Sequence, residues 1–343
     1  MSTAVRLAEK GLVPDVLLRW GIRRRLDALL RDLDRGGPTA RRDRERALIA
    51  AMRASPIAIA ADAANVQHYE VPAAFFDLVL GSRKKYSCCL WSEGVDSLDG
   101  AEEAMLDLVA ERAGLADGMD VLELGCGWGS FCLWAAERFP GSRITALSNS
   151  RLQRATIEER AARAGLRNVQ VLTENAATFD TMETFDRVVS IEMFEHMRNV
   201  EALLARIARW LRREGRLFVH VFTHREHSYT FDEGPSSWMG SEFFTGGMMP
   251  SDTLYLEFQR KLVLLDRWVI DGRHYARTLR AWLERLDARR GDVLSALARA
   301  CPPGEARRQL QRWRMFFIAC EEAFGHSGGD QWRVSHYLFG GRT

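Results

Sequence analysis

The sequence predicts an α/β protein built on a doubly wound, mostly parallel seven-stranded sheet. Three observations lead there. From Leu98 onward, short apolar runs alternate with stretches of helical length, the pattern of repeated strand–helix units. The first apolar run, "DVLELG", opens directly into a glycine-rich turn, where sheets of this kind carry a ligand-binding turn. Two β-like runs near the C-terminus, "LVLLDRWVIDG" and "WRVSHYLF", supply strands to close one edge.

The elements follow in order. Between Val16 and Met52 the chain is rich in arginine, and Ile22, Leu26, Leu29, Leu30 and Leu33 recur close to the helical period. The basic face of this helix is read as solvated, with an anionic membrane surface as the alternative. "GGPTARRDRER" breaks the period and is read as a loop. Residues 1–65 are expected to be an N-terminal helical extension ahead of a domain spanning 66–343. "SLDGAEEAMLDLVAERAG" is a helix with Ser97 or Asp99 near its N-cap and Gly114 at its end. The strands "DVLEL", "RITALS", "VQVLTE", "FDRVVSIEMF" and "GRLFVHVF" are then spaced by the helices "SFCLWAAERF", "SRLQRATIEERAARAG" and "NVEALLARIARWLRREG". Helical insertions at about 225–260 and 275–325 are expected to form a cap.

Composition narrows the class. The chain has 343 residues, 47% hydrophobic and 27% charged, enough for one large domain with a sizeable core. A net charge of +2 recommends no polyanionic partner, and no concentrated basic stripe suggests nucleic acid. No apolar run reaches the roughly 18 residues of a membrane span, and the N-terminus lacks the apolar segment of a secretory signal. Six cysteines without a CxxC pair are expected to be free thiols in a cytoplasmic protein, with no metal site.

In "LELGCGWGS", Gly125, Gly127 and Gly129 alternate at the end of the first strand. Glycines there let the backbone turn tightly and approach a ligand, and the helix behind offers free N–H groups. The spacing is GxGxG, not the GxGxxG of a dinucleotide site, and no GKS or GKT follows. Glu123, two residues before the first glycine, can meet a cationic group such as an α-ammonium. The combination resembles motif I of class I S-adenosylmethionine (SAM) methyltransferases, which implies their Rossmann-like fold. The second strand ends in "ALSNSRLQ" rather than in an acid, so ribose or methionine contacts fall to Ser148, Asn149, Ser150 or Gln153. After the third strand, Asn175 stands where it can read an adenine edge.

Further blocks sharpen the resemblance. "S-N-S-x-x-Q", "HYEVPAAFFDLVLGSRKKYSCCLW" and "EMFEHM" resemble the cyclopropane fatty acid synthase and coclaurine N-methyltransferase superfamily, from His68 onward, about four-fifths of the chain. "GGMMPSDTLYLEFQ", "RWVIDGRHYARTLRAWLERLDA" and "FFIACEEAFG" are most similar to its coclaurine-type branch. The resemblance implies SAM as cofactor, with contacts from Tyr86, Ser87, Gly125, Gly127, Asn149, Gln153 and Asn175. It also implies a catalytic trio of Glu192, Glu195 and His196.

Those three residues close a strongly apolar run, and carboxylates seldom stand beside a strand core without a partner or a task. A surface ion-pair cluster with Arg198 is the plain alternative. As a catalytic group they would hold an ammonium and take its proton, which suits N-methylation of a small cyclic or aromatic amine. Trp238, Phe243, Tyr275, Phe324 and Trp332 are candidates for the wall around such an amine; Phe316 and Phe317, adjacent on a helix, cannot both face it. The competing reading is methyl or methylene transfer to an unsaturated phospholipid at a membrane surface. There the resemblance implies a bicarbonate cradle of Cys88, Glu195, His220 and Tyr275. Glu192 favours the amine, because lipid-acting members usually carry a small residue at that position. A homodimer is left open.

Overall fold

Local chemistry explains where the elements begin and end. The Ser97 side chain accepts a hydrogen bond from Gly100 N and caps α5 (Leu98–Ala113), which stops at Gly114 in the left-handed conformation. The computed structural model describes residues 3–59, 71–231 and 237–342. The expected boundary at 65/66, and His68, lie outside the described residues. Before α5 come α1 (Thr3–Glu9), α2 (Asp15–Leu33), α3 (Gly37–Ala54) and α4 (Ala73–Val79).

The stretch expected to be a loop after α2 is a helix instead. Gly36 takes φ 81°, Pro38 sits in the first turn of α3, and the arginines and alanines that follow are good helix formers. The glycine pair marks a corner between two helices rather than a long connection.

The sheet alternates β1 (Asp120–Leu124), α6 (Ser130–Arg138), β2 (Arg143–Ser148), α7 (Arg151–Arg163), β3 (Val169–Thr173), β4 (Phe185–Ile191), α8 (Val200–Trp210) and β5 (Leu211–His224). β5 begins earlier than expected. The sequence suggests that α8 runs on through "LRREG", but Leu211 already pairs with Phe185 of β4. The insertion that follows holds β6 (Tyr229–Thr230), α9 (Trp238–Glu242) and β7 (Met248–Met249). Then come β8 (Leu262–Ile270), α10 (Gly272–Ala288), α11 (Arg290–Ala298), α12 (Ala306–Gly325) and β9 (Trp332–Gly341).

The seven-stranded sheet has the order β3-β2-β1-β4-β5-β9-β8. β1 to β5 are parallel, and β9 runs antiparallel between β5 and β8. Strand order reverses between β1 and β4, so their carboxyl ends diverge into the crevice where such sheets bind ligands. One face packs on α3 and α8 through Met52, Leu203, Ile207 and Trp210. The other carries α5, α6 and, from the stretch expected to form a cap, α10 and α12, through Met105, Phe131, Trp282 and Trp313.

The arginine-rich helix α2 has a structural task. Arg19 pairs with Glu321 at 2.7 Å and Glu322 at 2.6 Å on α12, and Arg314 returns a 2.8 Å bond to Asp15. Leu18, Ile22, Leu26 and Leu29 pack on the core from this side. Among the described residues no helix is long and apolar enough to cross a membrane.

Candidate active site

The glycine turn at the end of β1 forms one wall. Gly125 N and Cys126 N both donate to Leu147 O of β2, at 3.1 and 2.8 Å, which folds the turn back over the sheet. A Cβ on Gly125, at φ +80°, would stand 2.9 Å from Met193 Cγ, so only glycine fits. Gly127, at φ +51°, faces open space. Beside the turn Glu123 is buried; its Oε2 has no hydrogen-bond partner among the described residues. Burial pushes its carboxyl up to about 8, against the opposing pull of Cys132 and Lys85.

A second wall is the segment 81–91. Glu102 of α5 is buried and accepts from Gly81 N at 3.0 Å, Arg83 N at 2.7 Å and Lys85 N at 3.1 Å. This fixes the loop that delivers Tyr86 and Ser87. Cys89 N donates to Thr278 Oγ1 at 3.2 Å, and Trp91 N to His274 Nδ1 at 3.0 Å, which pins the segment to α10. Lys85 is itself buried, donating to Ser87 Oγ and, at 2.7 Å, to Cys88 O.

The floor is the end of β4. The chain turns at Glu192 itself, at φ 46°, and Glu192 N donates to His220 O at 2.8 Å. A single 3-10 turn, Phe194–His196, follows. Left-handed backbone at a glutamate is costly and persists where the surroundings over-determine it. Here three donors do so. Glu192 Oε1 accepts from Cys88 N at 2.9 Å and from His220 Nε2 at 3.2 Å, and Oε2 accepts from the Tyr275 hydroxyl at 2.6 Å. Burial raises the Glu192 carboxyl, while the Lys85 charge and the donors from Cys88 and Tyr275 pull it back.

Glu195 is different. It is 1% exposed, and its Oε2 has no hydrogen-bond partner among the described residues. Burial, then the neighbouring Glu192 charge, raises its carboxyl well above the ordinary range. His196 stacks on Phe244, ring centroids 6.2 Å apart and planes 18° from parallel. Glu195 is buried and the Glu192 side chain is only 9% exposed, which speaks against a surface ion-pair cluster; Arg198 sends its Nη2 to Gly246 O at 3.2 Å.

These walls enclose a cavity of about 760 Å³. Of the residues anticipated for a cofactor, Tyr86, Ser87, Glu123, Gly125, Gly127 and Gln153 line it. Asn149 and Asn175 do not; Asn175 Oδ1 is taken by Ala177 N at 2.9 Å, closing its own turn. Glu192, Glu195 and His196 line the same cavity, with Trp238, Tyr275, Phe324 and Trp332. Phe243 is core instead, stacked on Phe316 at 4.3 Å. Phe316 reaches the cavity while Phe317 is fully buried, as their adjacency requires. Cys88 and His220 stand behind Glu192 and do not line the cavity.

Comparison with known proteins decides the family. The model of mycolic acid cyclopropane synthetase matches residues 59–334. The chain belongs to that family. The chain is a SAM-dependent methyltransferase. It is 36% identical over 340 residues to (S)-coclaurine N-methyltransferase of Thalictrum flavum subsp. glaucum, covering 96% of this chain and 93% of that one. The structure of a coclaurine N-methyltransferase bound to N-methylheliamine and SAH superimposes with a TM-score of 0.95 at 34% identity, covering 98% of both chains. Cyclopropane-fatty-acyl-phospholipid synthase of Escherichia coli is more distant, 28% identical over 73% of this chain and 66% of its own.

Two features of the methyltransferase's cavity fit this cofactor. SAM supplies, when bound, a methyl group on a sulfonium that a nucleophile attacks in line. Glu123 Oε2, without a hydrogen-bond partner among the described residues, suits its α-ammonium, and the open, positive-φ Gly127 leaves room for close backbone approach. Two groups of methyltransferase residues escaped the sequence reading. Ala8, Leu17, Gly21 and Leu29 of the N-terminal helices form an outer wall of the cavity. Lys85 places a buried cation near Glu192. Neither has a local signal: the first reads as an ordinary amphipathic face, the second as one of three consecutive surface-like cations.

Proposed function

We propose that this methyltransferase methylates the nitrogen of a small cyclic or aromatic amine, with Glu192, Glu195 and His196 receiving the ammonium and removing its proton. Glu192 carries the reading. Its carboxylate takes the hydrogen bonds of Cys88 N, His220 and Tyr275. By resemblance those residues belong to the cradle that holds bicarbonate when a relative acts on an alkene. Here the chain's own side chain fills that role, and a second carboxyl, Glu195, is buried nearby. Two acids at one end of an aromatic cavity suit a cationic nitrogen far better than a hydrocarbon chain.

The chemistry has a definable cost. A secondary amine with a pKa of about 9.5 is only about 0.3% neutral at pH 7, so freeing its lone pair costs about 3.4 kcal/mol. Glu195 is the proton acceptor in this scheme. Among the described residues nothing holds its Oε2, and burial beside Glu192 raises its proton affinity. Glu192, saturated by donors, serves as a fixed negative charge that attracts the ammonium. His196, next to Glu195 in the 3-10 turn, orients the nitrogen from the Phe244 side. General-base catalysis of this kind contributes about 10²–10⁴-fold. Similarity to (S)-coclaurine N-methyltransferase supports an alkaloid-type acceptor.

One incubation tests the reading. Labelled SAM is offered with cyclic and aryl-ethyl amines beside unsaturated phospholipid vesicles, and products are sorted by mass and polarity. Label is expected in the amine fraction. Label confined to the lipid fraction would overturn the proposal in favour of acyl-chain chemistry.

A further inference from the structure

Behind Glu192 the hydrogen bonds do not stop. His220 Nδ1 meets His336 Nε2 at 2.9 Å, and His336 Nδ1 meets Arg112 Nη1 at 2.9 Å. The chain of contacts crosses the sheet at one level. Glu192 follows β4, His220 is in β5, and His336 is its direct cross-strand partner in β9. Arg112, in the last turn of α5, lies over the ring of Trp268 at 4.9 Å. Trp268 of β8 is in turn the cross-strand partner of His336. Both histidines are wholly buried.

The far end of this line fixes the direction of every bond in it. A guanidinium has only donors and does not lose its proton in proteins. His336 Nδ1 must therefore accept, so His336 carries its proton on Nε2. That proton points to His220 Nδ1, which must accept in turn. His220 then carries its proton on Nε2 and donates it to Glu192 Oε1. Burial, with the charges of Lys85 and Arg112, holds both imidazoles well below their ordinary range, so neither gains a second proton.

We propose that Arg112, His336 and His220 form a one-way hydrogen-bond relay that positions Glu192 as a carboxylate acceptor and closes the sheet interior as an exit for the substrate proton. The three are positioning residues: among the described residues none of them lines the cavity. An outward proton hop would need a free lone pair on His220 Nε2, and the relay keeps that nitrogen protonated. The proton removed from the substrate leaves on the cavity side, by way of Glu195 and His196. This role rests on the amine reading of the site, but the protonation pattern does not.

The test separates the two. The ligand-free, full-length protein is labelled with ¹⁵N-histidine, and long-range proton–nitrogen correlations report which ring nitrogen of His220 and His336 carries the proton. The relay requires the Nε2–H tautomer at both. Arg112→Met keeps an apolar stem against Trp268 but removes the donor, so the reversed line, with Nδ1–H at both His336 and His220 and the proton on Glu192 Oε1, should appear. Arg112→Lys, still a donor, should keep the native pattern. Turnover is then measured with whichever acceptor the panel identifies. Arg112→Met and His336→Phe should lower kcat about tenfold to a hundredfold, the size of one lost hydrogen bond to a charged group, with SAM affinity unchanged. His336→Gln can accept at its carbonyl and donate at its amide, and should rescue most of the loss. An Nδ1–H or doubly protonated imidazole in the native protein would overturn the relay, as would unchanged tautomers in Arg112→Met or a His336→Gln variant no better than His336→Phe. Should the acceptor be a lipid, native Nε2–H tautomers would still stand while the amine reading fell.

Discussion

The Tyr275 hydroxyl donates a 2.6 Å hydrogen bond to Glu192 Oε2, tying the first turn of cap helix α10 to the end of β4. This part-buried bond joins the helix to the strand end in the wall of the cavity. Tyr275→Phe removes a donor from a charged acceptor and leaves the ring packing on Phe324, 4.4 Å between centroids. We expect turnover to fall about tenfold or more, the size of a hydrogen bond to a charged group, while SAM affinity measured by calorimetry stays the same. An unchanged kcat would mean that Glu192 needs no fixing from the cap.

Glu195→Gln should have the largest effect on the chemical step. The amide keeps the shape but cannot accept a proton, so kcat should fall about 10²–10⁴-fold. Removing a buried, raised carboxyl carries no stability penalty of its own, so the thermal midpoint should hold or rise. A matching loss of SAM binding would assign Glu195 a structural role.

Gly127→Val attacks the cofactor instead. A β-branched side chain at φ +51° is disfavoured by about 1–2 kcal/mol, and its methyls enter the open space of the cradle. The protein should still fold by circular dichroism yet lose SAM binding in calorimetry. Retained affinity would move the cofactor away from this turn.

A pH dependence follows from Glu123. Its carboxyl lies at about 8 in the fold, raised chiefly by burial, against 4.5 for an ordinary glutamate. A group whose folded value is raised contributes stability fully below its unfolded value and loses it as pH climbs through the folded one. The ligand-free protein should therefore lose stability between about pH 5 and 8, a slope shared with buried Glu102, raised to about 7, and Glu123→Gln should make that part of its melting profile shallower. An ammonium bound beside Glu123 favours the carboxylate, so SAM binding at pH 7 should release a proton, read as an enthalpy that varies with the buffer.

Much of the fold was legible because the sequence repeats its signals. Five strands, their helices and the glycine turn each announce themselves within a few residues, and the Ser97 cap and Gly114 stop stand where the pattern puts them. The place of Glu192, Glu195 and His196 on the cavity was legible for the same reason: three polar residues fall within five positions at a strand end. What stayed hidden is nonlocal. His336 lies 116 residues from His220 and 224 from Arg112, and only the β5–β9 register makes them neighbours. Phe243 and Phe244 look alike in sequence, yet packing on Phe316 draws one into the core while the other faces the cavity. The α3 misreading came from weighing Gly36 and Gly37 as a loop, when a proline in the next position starts a helix.

The central claim is that Glu192 replaces an external anion in front of the methyl donor. Bicarbonate dependence tests it most directly. Methyl transfer to the amine acceptor is measured in buffer freed of carbon dioxide, then with bicarbonate restored. The account predicts the same rate in both for the native enzyme. A rate that collapses without bicarbonate and recovers on its addition would contradict it.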